Sequence, residues 1–304
     1  MGRGRLLVKL VNDEQLDTAL TNTANAIREK IDNQDLIHWD STNGFADAIS
    51  MIEVGGGSEG GSGSDSEKIT ELESIVDGII DKSIVVLEND RVTTVASYVF
   101  RGTTTLTEVS LSNATTIKSY AFYACSNLKY VDLPKVTTLE TYSFYNANAL
   151  ETFSAPNLTT ISAYILNNTS KKFNYLSIPK LTAVPQNGLR DVQYMNYCDI
   201  GNASSIASGG FYGCRALKQL VMRSETMVTL ENTSAFTTCY CILGTKNAGH
   251  NPNGEILGFF YVPRALISEY LADSLWSTYP NNFRALEDYT VDGTITGEFD
   301  FSKV

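Results

Sequence analysis

A large apolar residue recurs at Phe100, Phe122, Phe144, Leu166, Leu189, Phe211 and Phe236, with spacings of 22, 22, 22, 23, 22 and 25. A smaller apolar residue precedes each one, at Val95, Ile117, Leu139, Ile161, Val184, Ile206 and Leu230. Downstream of the first six comes an apolar pattern spaced as L-x-x-V-x-L, as in Leu106, Val109 and Leu111, then Leu128, Val131 and Leu133. Its alternating end predicts a short strand with one buried face. A fixed period of this length predicts a solenoid, in which each unit buries its apolar side against its neighbours. Stacked strands lie ~4.8 Å apart, so seven units span about 30 Å.

Turn residues agree with this division. Pro134, Pro156 and Pro179 follow three of the strands and Gly201 takes the same place in a fourth. Proline ends a ladder because it has no N–H to donate. Thr115-Thr116, Thr137-Thr138 and Thr159-Thr160 are β-favouring pairs that predict a second strand or an extended edge in each unit.

The unit IKSYAFYACSNLKYVDLPKVTTLETYSFYNANALETFSAPNLTTI resembles the leucine-rich repeats of the BspA-like family, over about residues 83–289. It departs from that pattern between Leu166 and Ile200 and again after Met222, where two residues are inserted. The resemblance implies a right-handed solenoid and extracellular or surface recognition, with no particular ligand.

The flanks are of other kinds. In residues 1–54, Leu16, Leu20, Ala24, Ile27 and Ile31 form an apolar helical stripe, and Phe45, Ile49 and Ile52 share one side of a second short helix. Such a small α-helical unit cannot bury its faces alone and is expected to use Leu16, Leu20, Ile27, Ile31, Phe45 and Ile49 for docking or oligomerisation. ANAIREK, followed by GFADAI, resembles a segment at the start of many bacteriophage tail and virion structural proteins. The resemblance implies a virion-docking domain joined to a host-recognition or decoration module. Residues 55–66, GGGSEGGSGSDS, read as a flexible linker.

Residues 67–88 are expected to form a helical N-terminal cap on the first repeat or a short coiled coil, because Ile69, Leu72, Val76 and Ile79 alternate at three and four. Two heptads are short for an independent coil, which favours the cap and leaves a homotrimer as the alternative. Residues 89–245 are the expected solenoid. Residues 246–304 are the expected C-terminal cap and hairpin: Pro263 opens a helix that places Leu266, Tyr270 and Leu271 together, and Asp292-Gly293 sits between alternating residues. YVPRALISEY and the stretch after it resemble the terminator found after such repeats in bacterial and phage proteins.

Composition narrows the function. The formal charge of −11 argues against a nucleic-acid partner, whose backbone calls for a basic surface. No apolar run approaches the roughly 18–20 residues of a membrane span, so no membrane insertion is expected. MGRGRLLVKLVNDEQ is interrupted by Lys9 and too short for a signal-peptide core, which implies synthesis in the bacterial cytoplasm. Cys125, Cys214 and Cys239 each lie three residues after the repeat Phe, a small and buried position. Cys239-x-Cys241 is too little for zinc, and no metal or cofactor is expected.

Catalysis is not expected either. The two histidines, His38 and His250, lie in different regions, and no nucleophile, metal or phosphate-loop motif accompanies them. A polysaccharide-cleaving pair of carboxylates is the enzymatic alternative.

The outward strand positions are the candidate ligand-binding face. If Val131 and Leu133 point inward, then Tyr130 and Asp132, Tyr175, and Tyr197 and Asp199 point out. Tyrosine offers a flat ring and a polar tip, a mixture that suits sugars and protein partners. Tyr98, Tyr120, Tyr142 and Tyr164 repeat two residues before the Phe column and read as a packing ladder. The whole reads as a virion-exterior protein that contacts other virion proteins through residues 1–54 and a bacterial surface glycan or protein through the solenoid. Its rivals are a decoration or assembly protein with no receptor and a host-encoded surface adhesin.

Overall fold

The computed structural model describes residues 84–90 and 92–288 and the short strands at 290–291 and 294–295. The helical domain of residues 1–54, the linker at 55–66 and the stripe Ile69–Ile79 lie outside the described residues.

Each repeat forms one coil, most with two strands, while the coil through Val184 has only an isolated bridge to Ile206 on its second side. The wide sheet begins with β1 (Val86–Asn89), β3 (Glu108–Leu111), β5 (Tyr130–Asp132) and β7 (Thr152–Ser154), all parallel and in spatial order. It resumes with β9 (Tyr175–Ser177), β10 (Tyr197–Asp199), β12 (Gln219–Val221), β14 (Phe259–Val262) and β15 (Phe283–Ala285). The ladder is interrupted between β7 and β9, where the spacing lengthens to 23 and the extra residue breaks the hydrogen-bond phase. The threonine pairs do form a second sheet, β2 (Thr94–Val95), β4 (Thr116–Ile117), β6 (Thr138–Leu139) and β8 (Thr160–Ile161). It continues as β11 (Ser205–Ile206) and β13 (Thr229–Leu230). The threonine hydroxyls explain the residue choice. Thr115, Thr137 and Thr159 each donate Oγ1 to the carbonyl one repeat earlier, at 3.1, 3.3 and 3.1 Å.

The core runs along the axis between the two sheets. Phe100, Phe122 and Phe144 stack at 5.1 and 5.0 Å, and Phe211 on Phe236 at 5.6 Å. The three column cysteines are buried and donate Sγ–H to the carbonyls of Phe100, Leu189 and Phe211, each at 3.0 Å. All five cysteines are buried.

Left-handed residues flank the Phe column, one set two residues after each column position and one set two residues before all but the last. One is held by Gly102, Ala124, Asn146, Asn168, Asp191, Gly213 and Thr238. The other is held by Tyr98, Tyr120, Tyr142 and Tyr164, with φ of 68, 60, 59 and 60°, then by Asn187 and Gly209. Asparagine and glycine are the inexpensive choices there, and a bulky side chain is not. The four tyrosine rings stack in series at 4.9 Å each. Arg101 lies over Tyr98 and Arg190 over Tyr164, at 5.8 and 5.9 Å, one at each end of the series.

Three expectations need correction. Val86–Asn89 is a strand paired with β3, so the solenoid begins inside the stretch assigned to a helical cap. Alternation of buried Leu87 and Asn89 with half-exposed Val86 and Glu88 is a strand period, and it wins over helix propensity. The C-terminal stretch from residue 246 is not only a cap, because β14 and β15 extend the same parallel sheet. Within it, α2 (Ile267–Ala272) buries Tyr270 but leaves Leu271 41% exposed, since neighbours on a helix point about 100° apart. The shorter α1 (Tyr240–Leu243) ends at left-handed Gly244.

Aromatic packing closes this end. Trp276 Nε1 donates to the Val228 carbonyl at 2.7 Å, and the Val228 N–H donates to the Tyr270 hydroxyl at 2.8 Å. Burial pushes the Tyr270 phenol up to about 12. β16 (Thr290–Val291) and β17 (Thr294–Ile295) pair antiparallel, which is the expected hairpin.

Candidate binding face

The outward residues of the wide sheet fall into two rows, because strand register is in phase from repeat to repeat. One row runs Glu108, Tyr130, Thr152 and the other Ser110, Asp132, Ser154. Beyond the ladder break they continue as Tyr175 and Ser177. Tyr130 and Tyr175 are each 44% exposed, among the largest apolar groups open to solvent. They stand two strand spacings apart, about 10 Å. Exposed Thr152 lies on the strand between them and Asp132 beside Tyr130 is exposed too. Lys172 Nζ meets Glu151 Oε1 at 2.8 Å at this margin, a hydrogen bond that raises the Lys172 pKa. The result is a flat patch of two phenol rings, hydroxyls and carboxylates.

Tyr197 and Asp199 do not belong to the open patch. Tyr197 is 4% and Asp199 3% exposed. Tyr197 stacks on Tyr175 at 4.8 Å and packs with Val221, Tyr261 and Leu286. Asp199 Oδ2 accepts from Arg223 Nε at 2.9 Å, and Oδ1 from the Gly201 N–H at 2.8 Å. Burial, and then the Asp199 charge, push the Tyr197 phenol far up, so it stays a donor. The sequence did carry one signal of this pairing. Arg223 takes the turn position that Pro179 and Gly201 hold in the two preceding repeats. Thr152, Lys172 and Glu151 were not singled out from sequence, because nothing local marks a threonine as the floor between two rings. The docking residues Leu16, Leu20, Ile27, Ile31, Phe45 and Ile49 lie outside the described residues.

His250 packs its ring on Tyr194 and Tyr240, with centroids at 5.3 and 6.4 Å. Burial, and then Arg215, lower its pKa. Among the described residues no group of three or more His, Cys, Asp or Glu is placed to hold a metal ion. No helix among them is long and apolar enough to cross a membrane.

Residues 82–196 match the family model described as BspA type Leucine rich repeat region, in 6 copies. This stretch is a BspA-type leucine-rich repeat region. Among solved structures, the chain is similar to a leucine-rich repeat protein from Bacteroides ovatus ATCC 8483, at 18% identity and a TM-score of 0.41. That match covers 48% of this chain and 45% of the other, so less than half of the Bacteroides protein's length is represented. It is also similar to the T. pallidum Leucine Rich Repeat protein, at 22% identity and a TM-score of 0.46, over 52% of this chain and 78% of that one. No curated protein matches the chain.

Proposed function

We propose that this BspA-type repeat protein is a host-attachment component on the exterior of a bacteriophage particle, and that its solenoid binds polysaccharide on the bacterial surface. The observation that carries the binding reading is the open patch of Tyr130, Thr152 and Tyr175, two exposed rings on a rigid, hydroxyl-bearing sheet. Rings of this kind stack on the apolar face of a pyranose while the surrounding hydroxyls and Asp132 exchange hydrogen bonds with its rim. The particle assignment rests on the resemblance of residues 1–54 to virion segments and on the Gly/Ser composition of 55–66. Several copies on one particle would turn weak single contacts into firm attachment.

The test is binding of fluorescent full-length protein to a panel of bacterial strains, compared with a Tyr130→Ala/Tyr175→Ala double variant. Strain-selective binding lost in the variant is the expected result. Equal binding by both proteins, or no binding even when the protein is displayed multivalently, would move the reading to a decoration or assembly role.

A further inference from the structure

The sheet face continues past Tyr175 and is covered. Its rows run on as Tyr197, Gln219 and Phe259, and as Asp199, Val221 and Tyr261. Leu286, in the 3-10 turn Leu286–Asp288 directly after β15, packs against Tyr197, Val221 and Tyr261 of these rows and is itself only partly buried, while Arg284 lies over the Phe259 ring at 3.9 Å.

This covered area differs in kind from the core. It holds a phenol, an amide, a carboxylate and a guanidinium. Gln219 is 3% exposed, and its Oε1 has no hydrogen-bond partner. A buried acceptor left unmade is costly, and a buried ion pair stabilises no better than apolar packing would. A surface that served only to be packed would carry apolar residues at these positions. The cover is also lightly held. The Arg264 guanidinium pairs with Asp288 where both side chains are more than half exposed. The Arg264 backbone N–H donates to the Glu287 carboxylate at 3.0 and 3.1 Å, again on the surface. Exposed pairs of this kind contribute little.

We infer that the turn Leu286–Asp288 is a displaceable cover, and that the saccharide-binding face extends beneath it through Tyr197, Gln219, Asp199 and Arg223. The inference rests on the reading of the open patch given above. With the turn lifted, Tyr197 and Tyr261 lose their Leu286 contact, and Tyr197 extends the open pair Tyr130 and Tyr175, already stacked on Tyr175. Gln219 Oε1 gains the hydroxyl donor it lacks. Asp199 and Arg223 then stand side by side as acceptor and donor, the arrangement that grips neighbouring hydroxyls of one sugar ring. A neutral polyhydroxyl ligand with an apolar ring face answers all four groups at once.

Two measurements on the full chain test this. The first needs no ligand. A thiol introduced by Val221→Cys lies under the cover, while the five native thiols are buried in the core. It is expected to react with iodoacetamide in the folded protein, and about tenfold faster when combined with Leu286→Ala/Asp288→Ala. Labelling no faster than the native thiols would overturn the cover. The second uses soluble polysaccharide released from the walls of a strain in the binding panel. If the covered form is in about tenfold excess, Leu286→Ala/Asp288→Ala tightens apparent binding about tenfold, and adding Tyr197→Ala removes that gain. Unchanged affinity in the cover variant, with binding still lost in Tyr130→Ala, would sink the extension and leave the open patch standing. Rapid labelling at 221 with no polysaccharide bound by either protein would keep the cover and overturn the saccharide assignment. Thermal melts by circular dichroism confirm that each variant is folded.

Discussion

Replacing Tyr142 with asparagine asks why a bulky residue sits where asparagine and glycine are the inexpensive choices. Tyr142 has φ of 59°, in the column where later repeats carry Asn187 and Gly209. Left-handed backbone costs an ordinary L-residue ~1–2 kcal/mol, and asparagine tolerates it better. Against that relief stand the ring contacts. Tyr142 stacks on Tyr120 and on Tyr164, both at 4.9 Å, and meets Tyr145 edge-on at 5.2 Å. Each stack contributes ~0.5–1.5 kcal/mol beyond area burial. Roughly 100 Å² of half-buried ring adds about 2.5 kcal/mol at ~25 cal/mol per Å². The rings win, and Tyr142→Asn is expected to destabilise by about 3 kcal/mol. At ~2–4 °C per kcal/mol for a chain of this size, the melting temperature falls by about 6–12 °C. Urea denaturation followed by circular dichroism reads the midpoint and slope together. The control is Ala124→Gly, which has φ of 57° in the other left-handed column, two residues after Phe122, and no ring to lose. Strain relief of ~1–2 kcal/mol there exceeds the added freedom of the unfolded glycine, ~0.5–1 kcal/mol, so its midpoint holds or rises. A Tyr142→Asn protein as stable as its parent would refute the reasoning, because the stacks would then not offset the backbone.

Four further outcomes follow from the same contacts. A Cβ at Gly201, where φ is +54°, would lie 1.8 Å from the Pro179 carbonyl oxygen, so Gly201→Ala should cost more than ~3 kcal/mol by thermal melt or prevent folding. Tyr270→Phe strips the partner from the buried Val228 N–H and should lower stability by ~1–3 kcal/mol in urea titration, with Leu271→Ala near neutral as its comparison. Burial raises the Cys198, Cys214, Cys239 and Cys241 thiols, so Ellman's reagent should find almost no reactive thiol in the folded protein and five in guanidinium. Because the folded His250 pKa is lowered from 6.5, the unfolded chain binds the proton first as pH falls. That stability is complete above pH 6.5 and is lost as pH drops through the folded value, so His250→Gln should flatten the melting profile on the acid side of neutrality.

Much of the solenoid was legible because its determinants are local and repeated. The Phe column, the cysteine position behind it and the Thr-Thr pairs each recur at one period, and a recurring residue must occupy a recurring environment. Other features were out of reach. Tyr98, Tyr120, Tyr142 and Tyr164 were readable as a ladder, yet their left-handed backbone was not, since tyrosine carries no signal for that conformation. The reversal at Val86–Asn89 depended on a partner strand at Glu108–Leu111 being available to pair. Tyr130 and Tyr175 face outward and are open, whereas Tyr197 and Asp199 face outward and are covered. Alternation reports which side of a sheet a residue faces. It does not report what else lies on that side.

Coil length, the inward set of side chains and the parallel stacking of repeats follow from the order of residues alone, because each depends on neighbours one period away. How far the open face extends follows only from the folded chain. That boundary depends on Leu286 returning over strands laid down several repeats earlier, a contact between segments far apart in the chain that no periodicity encodes. It is the same long-range packing that leaves Tyr175 in solvent and buries the Tyr197 stacked upon it.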